Sequence, residues 1–323
     1  MLGKIREYTV GILLILLIVF FGFSAEGFAT WSNLFNLLRQ VAVLGIVSIG
    51  MAIVIIAGGI DLSVGSLVSL VSCCTAILIS GLKLPSVLAC LIGIAVSVAA
   101  MVLNGVVINF TGMPAMLCTL ATLQIYQGLT YMVTGGTPVY GLPDSMRMMG
   151  QGYLWFIPMP VVLMVVLFLL MGMLLSYTYL GRYFYAVGSN EETARLSGIP
   201  VVKTKLLSYA LCGLLVGIAA CIQMSRLFGG FPVAGDGMEM EAVTAVVVGG
   251  VSFAGGKGKL SGVALGVLVM GVLSNGLGVM GTNTYTQMVF KGVVLVLVVG
   301  LDCYQQKRVK KSRRMVLCRQ KSQ

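Results

Sequence analysis

An all-α, polytopic membrane protein of about ten transmembrane helices, with a short helix held outside the bilayer, is the fold this sequence predicts. Three observations lead there. The chain is 58% hydrophobic and 10% charged, with a mean hydropathy of +1.02. Its apolar residues gather in repeated runs of about 20, the length that crosses a hydrocarbon core. Its basic residues fall in an order that supports an even number of crossings.

The runs lie at roughly 9–23, 41–58, 62–80, 86–109, 114–133, 157–179, 205–224, 242–255, 260–281 and 286–303. The first is short but has no small-residue cleavage site after it, so it reads as a retained span. The eighth is glycine-rich and weaker. With the N-terminus in the cytoplasm, sixteen of the 21 Lys and Arg fall inside, among them Arg182, Arg195, Lys203, Lys205, Lys257 and Lys259. Arg39, Lys83, Arg147, Arg226 and Lys291 fall outside. Residues 1–303 thus form one membrane domain, followed by a basic cytoplasmic tail at 304–323, with both termini inside. The net charge of +11 is a topology signal with contact to membrane lipid, not a nucleic-acid-binding surface. The loop at 134–156, rich in Gly and Pro with Trp155 at its end, predicts a structured outer cap.

Composition also excludes chemistry. The chain has no histidine, which removes His-based triads, His metal sites and imidazole relays together. None of the eight cysteines forms a C-x-x-C pair, and most sit in apolar runs, as buried thiols do. Gly249 through Gly258 looks like a phosphate loop but lacks the G-x-x-x-x-G-K-[ST] spacing. No metal site or cofactor of the chain's own is expected, and an enzyme is not.

The most informative stretch is Asn190 to Gly198, N-E-E-T-A-R-L-S-G. Asn190 suits an N-cap, and Glu191 and Glu192 meet the positive end of the helix dipole. Thr193, Ala194, Arg195, Leu196 and Ser197 complete about two turns. Gly198 suits a left-handed C′ position, and Pro200 prevents continuation. So short a helix is unstable alone and needs a partner surface or the membrane face to hold it. It lies in the largest inside loop and so faces the cytoplasm, with Ala194 and Leu196 expected to make the contact.

Two other groups stand out. Gly58 and Gly59 end the second run, and Asp61 or Ser63 is placed to cap the next helix; a hinge is compatible with capping, and a gate is the other reading of a carboxylate near the bilayer. Gly249-Gly250 echoes the Gly58-Gly59 break. Gly213/Gly217 and Gly262/Gly266 have the spacing that lets helices approach closely. Within spans, Asn104, Gln124, Gln127 and Asn275 must face protein or water, and are candidates for a polar path or for interhelical hydrogen bonds. The outer loop at 225–241 offers Arg226, Asp236, Glu239 and Glu241 for docking.

At Ala57–Ser66 (A-G-G-I-D-L-S-V-G-S), Gly181–Asn190, Ala194–Ile199 and Leu260–Gly278, the chain resembles the ribose-type permeases of bacterial ABC importers, the branch that includes ribose, xylose, arabinose, galactose and autoinducer-2 transport. The similarity runs from about Trp31 to Asp302, with Leu211–Leu215, Ala254–Gly258 and Tyr285–Met288 most like the ribose member. It implies a bacterial inner-membrane subunit importing a monosaccharide, two permease copies (identical or close paralogues), a cytoplasmic ABC ATPase that carries the ATP and Mg, and an extracytoplasmic sugar-binding protein. It also implies that Asn190–Gly198 is the helix that couples to the ATPase. Asp236, where a small or hydroxyl residue is usual, and Ala121, where glycine is common, depart from the pattern. The alternative from another class is a transporter or channel driven by an ion gradient.

Overall fold

The computed structural model describes residues 2–297 and 300; the basic tail and the end of the tenth predicted run lie outside them. The described chain is helical nearly throughout. Its principal helices are α1 (Leu2–Ser24), α2 (Trp31–Ile56), α3 (Val64–Ser80), α4 (Ser86–Thr111) and α5 (Ala115–Thr134). After a short α6 (Arg147–Gln151) come α7 (Met159–Tyr177), α8 (Tyr179–Ser189), α9 (Glu191–Leu196), α10 (Val201–Leu227), α11 (Met238–Val248), α12 (Leu260–Val279) and α13 (Thr284–Leu297). Among the described residues, α2, α4, α7, α10 and α12 are long and apolar enough to cross a membrane. Each of the ten predicted runs falls on a helix, with one difference: the eighth stops at Val248, because Gly249 and Gly250 turn the chain out of it.

Helix α2 is the axis. From Val41 to Ile56 every side chain is buried, against α10, α12, α7 and α11. A helix buried all round must be apolar nearly all round, and over this stretch Ser48 is the single polar side chain. Helices α4, α5 and α7 sit at the periphery, with leucines, valines and methionines such as Leu91, Leu103, Leu117, Met132 and Leu169 exposed along them. An exposed apolar girdle of this size is stable only against lipid or another protein.

Small residues set the close contacts. A Cβ on Gly213 would stand 2.8 Å from Val98 Cα, and one on Gly217 2.8 Å from Ile94 Cα, so α10 meets α4 backbone to backbone. The Ser97 hydroxyl adds a hydrogen bond across that interface to the Gly213 carbonyl (2.7 Å). Gly262 and Gly266 seat α12 on α11 at Gly249 and Ala245. Both small-x-x-x-small pairs are therefore packing contacts.

The segment at 134–158 is a structured cap. Leu142 and Met146 pack against Ala76, Ile79, Ala89 and Met224, Val139 pairs with Gly230 in an isolated antiparallel bridge, and a small hairpin pairs Tyr153–Leu154 with Ile157–Pro158. From Gly230 the chain does not stay at this end. The 228–237 linker runs down along α3: Gly230 lies against Cys73, the Gly235 amide donates to Ser69 Oγ (2.9 Å), and Gly235 and Glu239 reach Gly65 in the first turn of α3. The loop expected at the outer surface is re-entrant.

At the opposite end two glycine turns meet the last turn of α8. Gly58 (φ +88°) lies against Gly188, and Gly255 and Gly256 (φ +81° and +68°) close over both, with the Gly256 amide donating to the Ile56 carbonyl (3.0 Å). The Gly249-Gly250 break that echoes Gly58-Gly59 in sequence lies elsewhere, with Gly249 against Gly262 and Val263 of α12. A Cβ at Gly188 would stand 2.7 Å from Gly256 N, with backbone on both sides. Gly188→Ala should therefore lower the thermal unfolding midpoint of the purified protein, at a cost of about 1–3 kcal/mol for forced overpacking. Gly172→Ala, mid-helix with open space around it, should leave that midpoint unchanged or raise it.

Candidate functional site

Helix α9 is built as a self-contained unit. Asn190 is extended (φ −163°, ψ 110°), and its Oδ1 accepts from the Thr193 amide (2.8 Å). The other end closes in two bonds, Gly198 N to Arg195 O (3.0 Å) and Ile199 N to Ala194 O (3.1 Å), with Gly198 at φ +80°. That pair is the Schellman arrangement, and it needs a residue free to take positive φ. Ser197 bonds back to the Thr193 carbonyl (2.9 Å).

The helix is also tied down. Glu191 pairs with Lys205 of α10 (2.6 Å) and, within the helix, with Arg195 (3.5 Å). Ala194 is only 4% exposed and packs with Val187, Val201 and Ile199. This corrects the expected contact pair: Ala194 faces the protein's own core, because a methyl-sized side chain is what lets α9 lie against α8 and α10. Leu196 points the other way and is 85% exposed. Leu196 therefore lies on the outer face of α9, at the end of the molecule where the glycine turns converge.

Behind α9 lies the α2–α3 break. Asp61 is fully buried and accepts from the Ser63 amide (2.7 Å), the Ser63 hydroxyl (2.5 Å) and the Asn104 amide (3.0 Å). Asn104 also donates to Ser63 Oγ, and its Oδ1 accepts from the Tyr126 hydroxyl (3.0 Å). The expected cap is not made. Ser63 occupies the N-cap position of α3 with no side-chain bond to that helix: its backbone is helical there (φ −84°, ψ −5°) rather than extended, and its oxygen accepts from Asn104. The carboxylate is a knot joining the break to α4 and α5. Gly58 and Gly59 belong to the turn just before it, with Gly59 N bonded to Val54 O (2.9 Å).

The other polar candidates resolve by placement. Asn104 is a member of that knot. Asn275 exchanges reciprocal hydrogen bonds with Asn33 (2.9 and 3.0 Å), joining α12 to α2. Gln127 donates to the Pro232 carbonyl (3.1 Å) and holds the re-entrant linker. Gln124 is exposed on α5. In the supposed outer docking set, Glu239 abuts Gly65 and Glu241 is ion-paired with Lys291, so neither lies in a surface loop. Asp236 is exposed on the re-entrant linker. Arg226 is drawn against Gln223 (3.4 Å), and its carbonyl accepts from Gln151 (3.0 Å). Sequence reasoning missed Ser69, Tyr126 and Gln223, whose bonds run to backbone or side chains distant in the chain.

Helices of this length and packing, a re-entrant linker and a stiff capped helix at one end define a polytopic membrane permease. The chain belongs to the family described as branched-chain amino acid transport system / permease component, which matches residues 33–299. It is 40% identical over 292 residues to the ribose import permease protein of Bacillus subtilis (strain 168), covering 90% of each chain. It is 39% identical over 303 residues to the ribose import permease protein of Escherichia coli (strain K12), covering 91% of this chain and 93% of that one. To the L-arabinose transport system permease protein of the same organism it is 35% identical over 305 residues, covering 92% and 91%. No solved structure gives a significant match.

The Asp61 knot makes a graded prediction. Asp61→Ala leaves the Ser63 amide and hydroxyl and the Asn104 amide without their acceptor, at about 1–3 kcal/mol for a buried group left unpaired. Asp61→Asn keeps one acceptor oxygen. The unfolding midpoint should fall clearly more for alanine than for asparagine; equal midpoints would mean the knot does not hold the break.

Proposed function

We propose that this chain is the transmembrane permease subunit of an ATP-driven, binding-protein-dependent importer of a monosaccharide, ribose or a related sugar. The observation that carries this reading is identity of 39–40% to two ribose import permeases over nine-tenths of both chains. ATP and Mg belong to a separate cytoplasmic ABC ATPase, and the permease itself needs no cofactor. A second permease copy, identical or a close paralogue, completes the path, and an extracytoplasmic sugar-binding protein delivers the solute. The chain sits in a bacterial inner membrane with both termini in the cytoplasm.

The geometry supports a lever. In this mechanism α9 rests on the ATPase through Leu196, flanked by the exposed Glu192 and Arg195. Closure of the ATPase dimer displaces α9. A helix with both ends capped moves as a rigid piece. The Lys205–Glu191 ion pair carries that motion to α10, and the glycine junction at Gly188 carries it to the end of α2 and the turn before α12. Access alternates because the ATPase binds the two permease states with different affinity.

Leu196→Asp should abolish ATP-dependent uptake while the permease stays at its normal level in the membrane, measured by transport assay and immunoblot. Ala194→Asp should instead lower the membrane level itself, since it places a charge among Val187, Val201 and Ile199. Undiminished uptake by the Leu196 variant would sink the lever. Uptake that needs no partner ATPase and collapses with an uncoupler would point to ion-gradient transport.

A further inference from the structure

A cavity of about 210 Å³ lies where the ends of α2, α4, α5 and α10 converge, lined by Gly58, Gly59, Ile108, Pro114, Lys205 and Tyr209, among others. At about 30 Å³ per water it holds about seven waters, the room one monosaccharide ring occupies. Tyr209 is 2% exposed, and its hydroxyl has no hydrogen-bond partner in the structure. A buried hydroxyl left without a partner is costly, so one that persists beside a cavity is placed for something that enters it. Gly59 makes the room: a Cβ there would stand 3.0 Å from the Tyr209 oxygen. The wall also connects to the lever, because Lys205 lines the cavity and its ammonium is held by Glu191 of α9 at 2.6 Å.

We propose that this cavity is a transient subsite for the transported solute on the ATPase side, taking a small polyhydroxylated ligand, with the Tyr209 hydroxyl its first hydrogen-bond partner. It rests on the reading of the chain as a sugar permease. A sugar hydroxyl both donates and accepts, so it satisfies the phenol in either sense. Displacement of α9 pulls on Lys205 and reshapes the wall, which ties emptying of the subsite to the ATPase cycle. A ring stripped of bulk water on its way through finds there a replacement for part of its hydration.

Tyr209→Phe tests this, because it removes one oxygen that no protein group uses. In proteoliposomes holding the whole transporter with its binding protein, and with ribose as probe, sugar moved per ATP hydrolysed should fall about three- to tenfold, the range one neutral hydrogen bond supplies. The unfolding midpoint should stay level or rise. Unchanged uptake would overturn the proposal and leave the cavity to water alone. A fall in uptake together with a lower midpoint would make Tyr209 structural and overturn it equally. Failure of the unaltered transporter to move ribose or any related sugar would instead reject the parent reading.

Discussion

Irregular backbone inside a membrane protein has no water to bond with, so the protein must satisfy it from its own side chains. That constraint organises most of the polar residues in this chain. The α2–α3 break is held by Asp61 and by Thr119, whose hydroxyl reaches the Ile60 carbonyl (3.3 Å). The re-entrant linker is held by Ser69, by Gln127, and by Gln223 on the Ala234 carbonyl (3.4 Å). The turn before α12 is held by Tyr185 on Gly258 (2.8 Å) and Ser189 on Gly256 (3.4 Å). Remove these bonds and the helices have no fixed start points.

Each satisfied break sits next to a place where the molecule has to yield. The re-entrant linker brings the start of α11 to the first turn of α3, so two helices begin against each other within the packed interior. The glycine junction places the end of α2, the end of α8 and the turn before α12 in direct backbone contact. Backbone lies against backbone at its centre, and the Tyr185 and Ser189 hydroxyls of α8 bond its rim to Gly258 and Gly256. The Asp61 knot is the counterweight, joining the α2–α3 segment to α4 and α5 so that they travel together.

Much of this was legible in the chain. Runs of apolar residues located ten helices but not α8, and Asn190, Gly198 and Pro200 located α9 to within a residue or two, because caps are local chemistry. What sequence could not show was direction. Ala194 and Leu196 look alike as apolar residues on a small helix, and only packing against Val187 and Val201 separates inward from outward. Ser63 is a good N-cap by type, yet its oxygen accepts from Asn104 on α4 instead, a partner 41 positions away. The descent of the 228–237 linker carried no local signal at all. It depends on Gly65, Ser69 and Gln127, residues more than a hundred positions away, leaving room and offering bonds.

Helix α9 has one more implication. Its own ends terminate it, its single buried side chain is a methyl group, and beyond that methyl only Glu191, through Lys205, ties it to α10. Glu192 and Leu196 are exposed and hold no span in place, so the face shown at this end of the molecule can change while the membrane core stays as it is.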